Sequence, residues 1–280
     1  MSNKTRMKKG VWTRVAFYSV LSIVSLVMIV PFIWMINTSF KDPTKIFTFQ
    51  FIPDPFRWQN YLDVLEKTPF HLFYFNSIYI AVLVTVGTIF FGSLAGYAFA
   101  KLSFRGSSFL FLCLLSTMMI PVEVITIPLF IWMGDLGLIN THVPLIAIPI
   151  LGPAGVFGVF IMRQFFLLVP KELEEAAKLD GCSYFRIYWN IMLPLAKPAV
   201  ATLTIFTFLT SWNEFYEPLI YINSKELMTL PLALALFTDE VGTKWELLMS
   251  ASVMATIPLL IVFFFAQKQF IEGVTMTGGK

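Results

Sequence analysis

PKELEEAAKLDGCSYFRIYWNIMLPLAKP, Pro170 to Pro198, lies between two long apolar runs and is itself charged and helix-prone. Its first half predicts a short helix. Pro170 stands near the first helical position, where its missing N–H costs nothing, and Glu172, Glu174 and Glu175 put negative charge at the positive end of the helix dipole. Gly181 predicts the stop, because glycine takes the left-handed conformation common just past a helix end without a Cβ clash. A second helix is expected from about Ser183 to Leu193, ended by Pro194. Leu173, Ala176 and Ala177 are spaced three and four apart, so they are expected to share a face on which two alanines let another protein's backbone come close.

Outward from this segment the chain is far too apolar for a soluble domain, which is about half apolar and a quarter charged. Here 57% of residues are hydrophobic, 13% are charged and the mean hydropathy is +0.76. Six runs are long enough to cross a hydrocarbon core as helices: Val15 to Asn37, Phe73 to Ala100, Ser108 to Met133, Val143 to Phe166, Ala199 to Ile222 and Met249 to Gln269. The expected fold is an all-α integral membrane protein with six transmembrane helices. No Ser/Gly linker or low-complexity tract divides it, so residues 1–280 are expected to form one domain.

Basic residues are retained on the cytoplasmic side of a membrane. With the N-terminus inside, fourteen of the twenty Lys and Arg residues fall in cytoplasmic segments, including Lys101, Arg105, Lys171, Lys178 and Lys197. The connection from Gly134 to His142 carries none. Both termini and the Pro170 to Pro198 segment are therefore expected in the cytoplasm. The first run is too long for a signal-peptide core, and Ile36 to Ser39 offers no A-x-A-like cleavage site, so it is expected to remain as a helix. Topology accounts for the net charge of +3 without a nucleic-acid partner. Cys113 and Cys182 do not suggest a disulfide framework, and His71 and His142 read as interfacial side chains rather than metal ligands. The outer loop Thr38 to Leu72 is expected to be partly helical from Trp58 to Lys67, its aromatics anchoring at the lipid interface.

Glu175-Ala176-Ala177, three residues, Gly181, nine residues, then Ile191-x-Leu193-Pro194 resembles the EAA loop of permease subunits in bacterial ABC importers. Trp212 to Phe215, Pro218-Leu219, Thr229 to Pro231 and the ending Gly273 to Lys280 are similar to the carbohydrate branch, and within it to the maltose-permease "G" type. The resemblance implies an inner-membrane protein that pairs with a homologous second permease subunit. It implies docking of two ATPase subunits, or a homodimer of one, through Leu173, Glu174, Glu175, Ala176, Ala177, Gly181, Ile191, Leu193 and Pro194. It also implies a sugar substrate received from an extracytoplasmic solute-binding protein, and alternating access between the two sides. ATP and magnesium would sit on the partner ATPases and no cofactor on this chain, which lacks G-x-x-x-x-G-K-[ST] and is expected to be a non-catalytic subunit.

Inside the runs, an ionised Glu123 is expensive unless it faces water or protein, and Pro121 and Pro128 predict a kinked helix around it. Trp212, Asn213 and Glu214 can stack on and hydrogen-bond a sugar, which makes them, with Glu123, candidates for a substrate path. The alternative for this trio is a polar helix end, with Trp212 at the interface and Asn213 joining helices. Among rival functions, an ion-coupled secondary transporter would use Glu123 as its ion site, and the EAA pattern argues against it. A membrane-embedded enzyme would need converging catalytic groups, and neither H-E-x-x-H nor G-x-S-x-G occurs.

Overall fold

The computed structural model of the chain describes residues 2–239 and 242–278, whose regular structure is almost entirely helical. The first apolar run lies in α1 (Ser2–Ser39), whose apolar side chains between Val15 and Ile36 are largely exposed. α2 (Gln59–Lys67) occupies the part of the outer loop expected to be helical, and the second run forms α3 (Phe70–Lys101).

The third run is not one kinked helix. It breaks into α4 (Ser107–Thr117) and α5 (Val122–Asp135), bent by 92°. The N–H groups of Met118, Met119 and Ile120 bond three residues back, tightening the end of α4, and Pro121 then caps α5 without an N–H to continue the ladder. The fourth run forms α6 (Val143–Leu151) and α7 (Pro153–Leu168). Beyond it come α8 (Lys171–Leu179), α9 (Tyr184–Ile187), a π-helical turn over Tyr188–Met192 and α10 (Leu193–Leu195).

The fifth run was expected from Ala199 to Ile222, but α11 (Lys197–Trp212) stops ten residues before Ile222 and α12 (Tyr216–Tyr221) follows. A side chain explains the break. Glu214 Oε1 accepts from the N–H groups of Tyr216 and Glu217 at 2.9 and 3.2 Å, capping α12 in place of the helix ladder. α13 (Leu230–Leu234), a two-residue pairing of β1 (Thr238–Asp239) with β2 (Gly242–Thr243), and α14 (Trp245–Gly278) complete the chain. Gly279 and Lys280 of the closing segment lie outside the described residues. Among the described residues four helices are long and apolar enough to cross a membrane, and up to six spans result if each bent pair counts as one. The second such pair joins Tyr184–Leu195 to Lys197–Trp212 at 76°.

Two compact units divide these elements, Met1–Thr68 with Leu236–Thr256, and Pro69–Ala235 with Ile257–Lys280. In the first, Lys41 is buried beneath the outer loop, where its Nζ donates to the carbonyls of Ile46 and Thr48 and lies 4.6 Å above the Trp34 ring. Burial holds its pKa below the ordinary lysine value. Asn60 donates to the carbonyls of Ser39 and Lys41, pinning α2 beneath the end of α1.

In the second unit α3 packs most extensively on α7 and then on α11. Lipid tails give little hydrophobic drive between helices, so small residues that admit close contact carry the packing. A Cβ added at Gly92 would lie 2.9 Å from the backbone carbon of Gly158, and one at Gly158 would lie 3.0 Å from Thr88 Cγ2. The Gly92→Leu variant is therefore expected to lose about 2 kcal/mol or more and to melt roughly 5 °C lower in detergent, as read by near-UV circular dichroism. An unchanged melting point would mean that the two helices part freely at this crossing.

Candidate functional site

Two features of the second unit bear on function, the Pro170 to Pro198 loop and a cavity walled by the broken helices. In the loop, Cys182 N–H bonds the Ala177 carbonyl and Gly181 N–H bonds the Lys178 carbonyl, both at 3.0 Å. With Gly181 at φ +77°, this is a Schellman termination of α8. Ser183 Oγ accepts from Arg186 N–H at 3.3 Å and starts α9. Pro194 does not end the second helix as expected but sits inside α10. Leu193 N–H already bonds back to the Tyr188 carbonyl, five residues away, so the wider π turn accommodates the ring and the chain turns only at Ala196.

The face expected to hold Leu173, Ala176 and Ala177 together is divided. Leu173, Glu175 and Ala176 are exposed, whereas Ala177 and Glu174 are buried against the chain's own bundle. Ala177 joins a core with Tyr97, Phe166, Ile187, Tyr188 and Met192, against which Ile191 and Leu193 also pack. Ser93 Oγ and Tyr188 Oη lie 2.8 Å apart, tying the loop to α3, and Lys101 Nζ donates to the Val169 carbonyl at 2.6 Å. Glu174 pairs with Lys178 at 3.1 Å, and that hydrogen bond holds the lysine above its usual pKa. The outward surface carries Leu179, 90% exposed, and Phe185 stacked on Trp189 at 6.4 Å. Sequence reasoning passed over these three, although Leu179 extends the three-and-four spacing from Leu173 and Ala176.

The cavity has a volume of about 330 Å³. Glu123, in the first turn of α5, and Glu214 both line it. The other two candidates for the substrate path do not. Trp212 is 2% exposed, stacks on Phe208 at 5.8 Å and meets the edge of Tyr74, while Asn213 donates its side-chain N–H to the Leu209 carbonyl. Helical phase is the reason: Thr207, Thr210, Ser211 and Glu214 recur at three- and four-residue steps on the cavity side, and Phe208 and Trp212 share another stripe. Tyr216, Glu217 and Thr229 complete the polar lining. Thr229 is positioned from α3, where Ser77 Oγ accepts from Leu230 N–H and Asn76 donates to the carbonyls of Glu226 and Met228.

His142 contacts the Tyr79 hydroxyl through Nδ1 and the Leu227 carbonyl through Nε2 at 2.6 Å, a structural role. Among the described residues no three His, Cys, Asp or Glu side chains could hold a metal ion.

A polytopic helical protein with broken spans around a cavity lined by apolar side chains, hydroxyls and carboxylates, and a folded helical hairpin between two spans, has the build of a transport subunit. The family model "Binding-protein-dependent transport system inner membrane component" matches residues 88–275, and the chain belongs to that family. It is 36% identical over 262 residues to the arabinooligosaccharides transport system permease protein AraQ of Halalkalibacterium halodurans, covering 92% of this chain and 93% of that one. With the lactose transport system permease protein LacG of Rhizobium radiobacter it shares 32% identity over 257 residues, 92% and 93% of the two chains. A bacterial ABC transporter involved in import of the acidic polysaccharide alginate superposes with a TM-score of 0.79 at 26% identity, covering 96% of this chain and 99% of that one. The chain is thus an inner-membrane, multi-pass ABC transporter permease subunit, the non-catalytic component of such a transporter.

Proposed function

We propose that this subunit forms half of the membrane pathway of a sugar importer, driven by ATPase partners that dock on the Pro170 to Pro198 loop. The observation that carries the reading is the termination of α8 at Gly181. It orients an apolar outward surface, Leu173, Ala176 and Leu179 with Phe185 and Trp189, while the inward surface is fixed to α3 and α7. A loop bound tightly to the bundle on one side and exposed on the other can pass a displacement from a docked partner to the helices. Family membership and the sugars named for its relatives support the substrate class.

In this mechanism a homologous second permease completes the pore, and an extracytoplasmic binding protein delivers sugar to the outward-open cavity. ATP and magnesium act on the partner ATPases. Their closure moves α8 to α10 and the attached ends of α3, α7 and α11, opening the pathway outward, and hydrolysis resets it inward. The basic connections support both termini and this loop lying on the cytoplasmic side. Ion-coupled transport through Glu123 is the second reading, favoured only by that carboxylate's place in the cavity.

Oxidative crosslinking tests the docking. In an importer lacking Cys113 and Cys182, Ala176→Cys is expected to crosslink to a cysteine placed in the ATPase cleft and to abolish ATP-driven uptake until reduced. Failure of Ala176→Cys and Leu179→Cys to crosslink at any position of the cleft in an active complex would remove this face from the contact. Uptake that follows the proton gradient without ATP would favour the second reading.

A further inference from the structure

We infer that the cavity bounded by α3, α5, α6, α7, α11 and α12 is a binding site on this subunit itself for one sugar unit without negative charge, and that its carboxylates exclude acidic sugars. The inference rests on the importer reading and adds where this chain holds substrate and what charge it accepts. The walls are of two kinds. Ile80, Val84, Leu145 and Pro149 form an apolar side, suited to the C–H face of a sugar ring. Opposite them stand acceptors and hydroxyls on α11, α12 and the segment before α13.

Three of those polar atoms have no partner among the described residues. Thr207 and Thr229 are 3% and 5% exposed, and their hydroxyls, like Glu217 Oε2, are buried without a hydrogen bond. Buried polar groups are normally paired, because leaving one unpaired forfeits its interaction with water. All three side chains belong to residues that line a cavity of about 330 Å³, and a ligand rich in hydroxyl groups that entered it could satisfy them after small side-chain rotations. Threonine hydroxyls both donate and accept, and the Glu217 carboxylate takes a donor from the ligand.

Charge sets the class. Glu123, Glu214 and Glu217 all line the cavity, and among the described residues the lining contains no Lys, Arg or His. Glu214 Oε1 is engaged by backbone N–H groups and Glu217 Oε2 is buried, which leaves Glu123 as the exposed carboxylate in the lining. A uronate or sulfonate entering here would meet carboxylate charge with no basic side chain in the described lining to pair it. The overall fold is shared with a transporter of an acidic polysaccharide, so the fold does not decide the sign of the substrate. The side chains lining this cavity do.

The test uses the complete importer with Cys113 and Cys182 replaced by serine and Thr210→Cys in the cavity. A cationic methanethiosulfonate should label this cysteine about tenfold faster relative to an anionic one than it labels a free thiol. Adding Glu123→Gln and Glu217→Gln should abolish that preference. Arabinotriose and lactose at millimolar concentration should slow labelling, trigalacturonate should not, and Thr207→Val with Thr229→Val should remove the protection. A charge preference unaffected by the glutamine changes, no protection by either neutral sugar, or equal protection by trigalacturonate would overturn the inference. Binding-protein-stimulated ATPase activity of the same preparation separates the two levels. If stimulation is intact and protection fails, this site is refuted and the importer stands; if ATP is not coupled at all, the importer reading falls with it.

Discussion

Gly181→Val is expected to insert normally, to copurify several-fold less ATPase and to lose most transport, whereas Gly181→Asn keeps most of both. Crowding is not the cause, since a Cβ at this position would meet nothing within 4 Å. The backbone is. At φ +77° an L-residue costs about 1–2 kcal/mol, a β-branched one more, and asparagine least among non-glycine residues. A valine would regain that energy by abandoning the turn. The Cys182 to Ala177 and Gly181 to Lys178 hydrogen bonds would then be lost, and α8 would no longer be held at its angle to α9. The order Gly, Asn, Ala, Val in retained ATPase separates conformational strain from loss of a contact. A contact surface would rank these residues by size and polarity, placing alanine nearest glycine. Equal retention by valine and glycine would eliminate the turn as the element that orients the loop.

What could be read from the sequence was what a single segment encodes. Long apolar runs announce spans, the EAA spacing announces the hairpin, and Gly181 announces its turn, because length, pattern and a left-handed position are local properties. Breaks within runs were harder. Pro121 signals a disturbance, but the 92° bend comes from the three tight turns before it acting together with the proline. Glu214 looked like a sugar ligand in the sequence; in the structure it also caps α12, a role visible only once the chain has left the helix.

The cavity shows the same limit on a larger scale. Thr229 reaches it because Asn76 and Ser77 hold its segment, more than 150 positions away in sequence. No local pattern marks that pairing. Nothing in the apolar run around Thr207 sets it apart, whereas Trp212 stands out by its chemistry. Counting helical phase from Glu214 back through Ser211, Thr210 and Thr207 would have chosen the cavity stripe and left Trp212 outside it.

Adjacent alanines in the EAA segment are expected to fail in different ways when enlarged. Ala176 is exposed on α8, so Ala176→Trp should leave the melting temperature of the detergent-purified subunit unchanged and strongly reduce ATPase binding and uptake. Ala177 is 6% exposed and packed among Phe166, Ile187 and Met192, so Ala177→Trp must displace the second half of the loop before any partner arrives. Overpacking of this kind costs about 1–3 kcal/mol, and the indole is at the upper end because Tyr188 in the same core is held in place by Ser93. Ala177→Trp should therefore lower the melting temperature and make the loop more susceptible to protease in the isolated subunit, with ATPase binding lost as a consequence. Ala177→Ser, small enough to remain in place, should keep both. The contrast turns on one helical step of about 100°. If Ala176→Trp destabilised the isolated subunit, or Ala177→Trp left it intact while releasing the ATPase, the inward and outward faces of α8 would have to be exchanged.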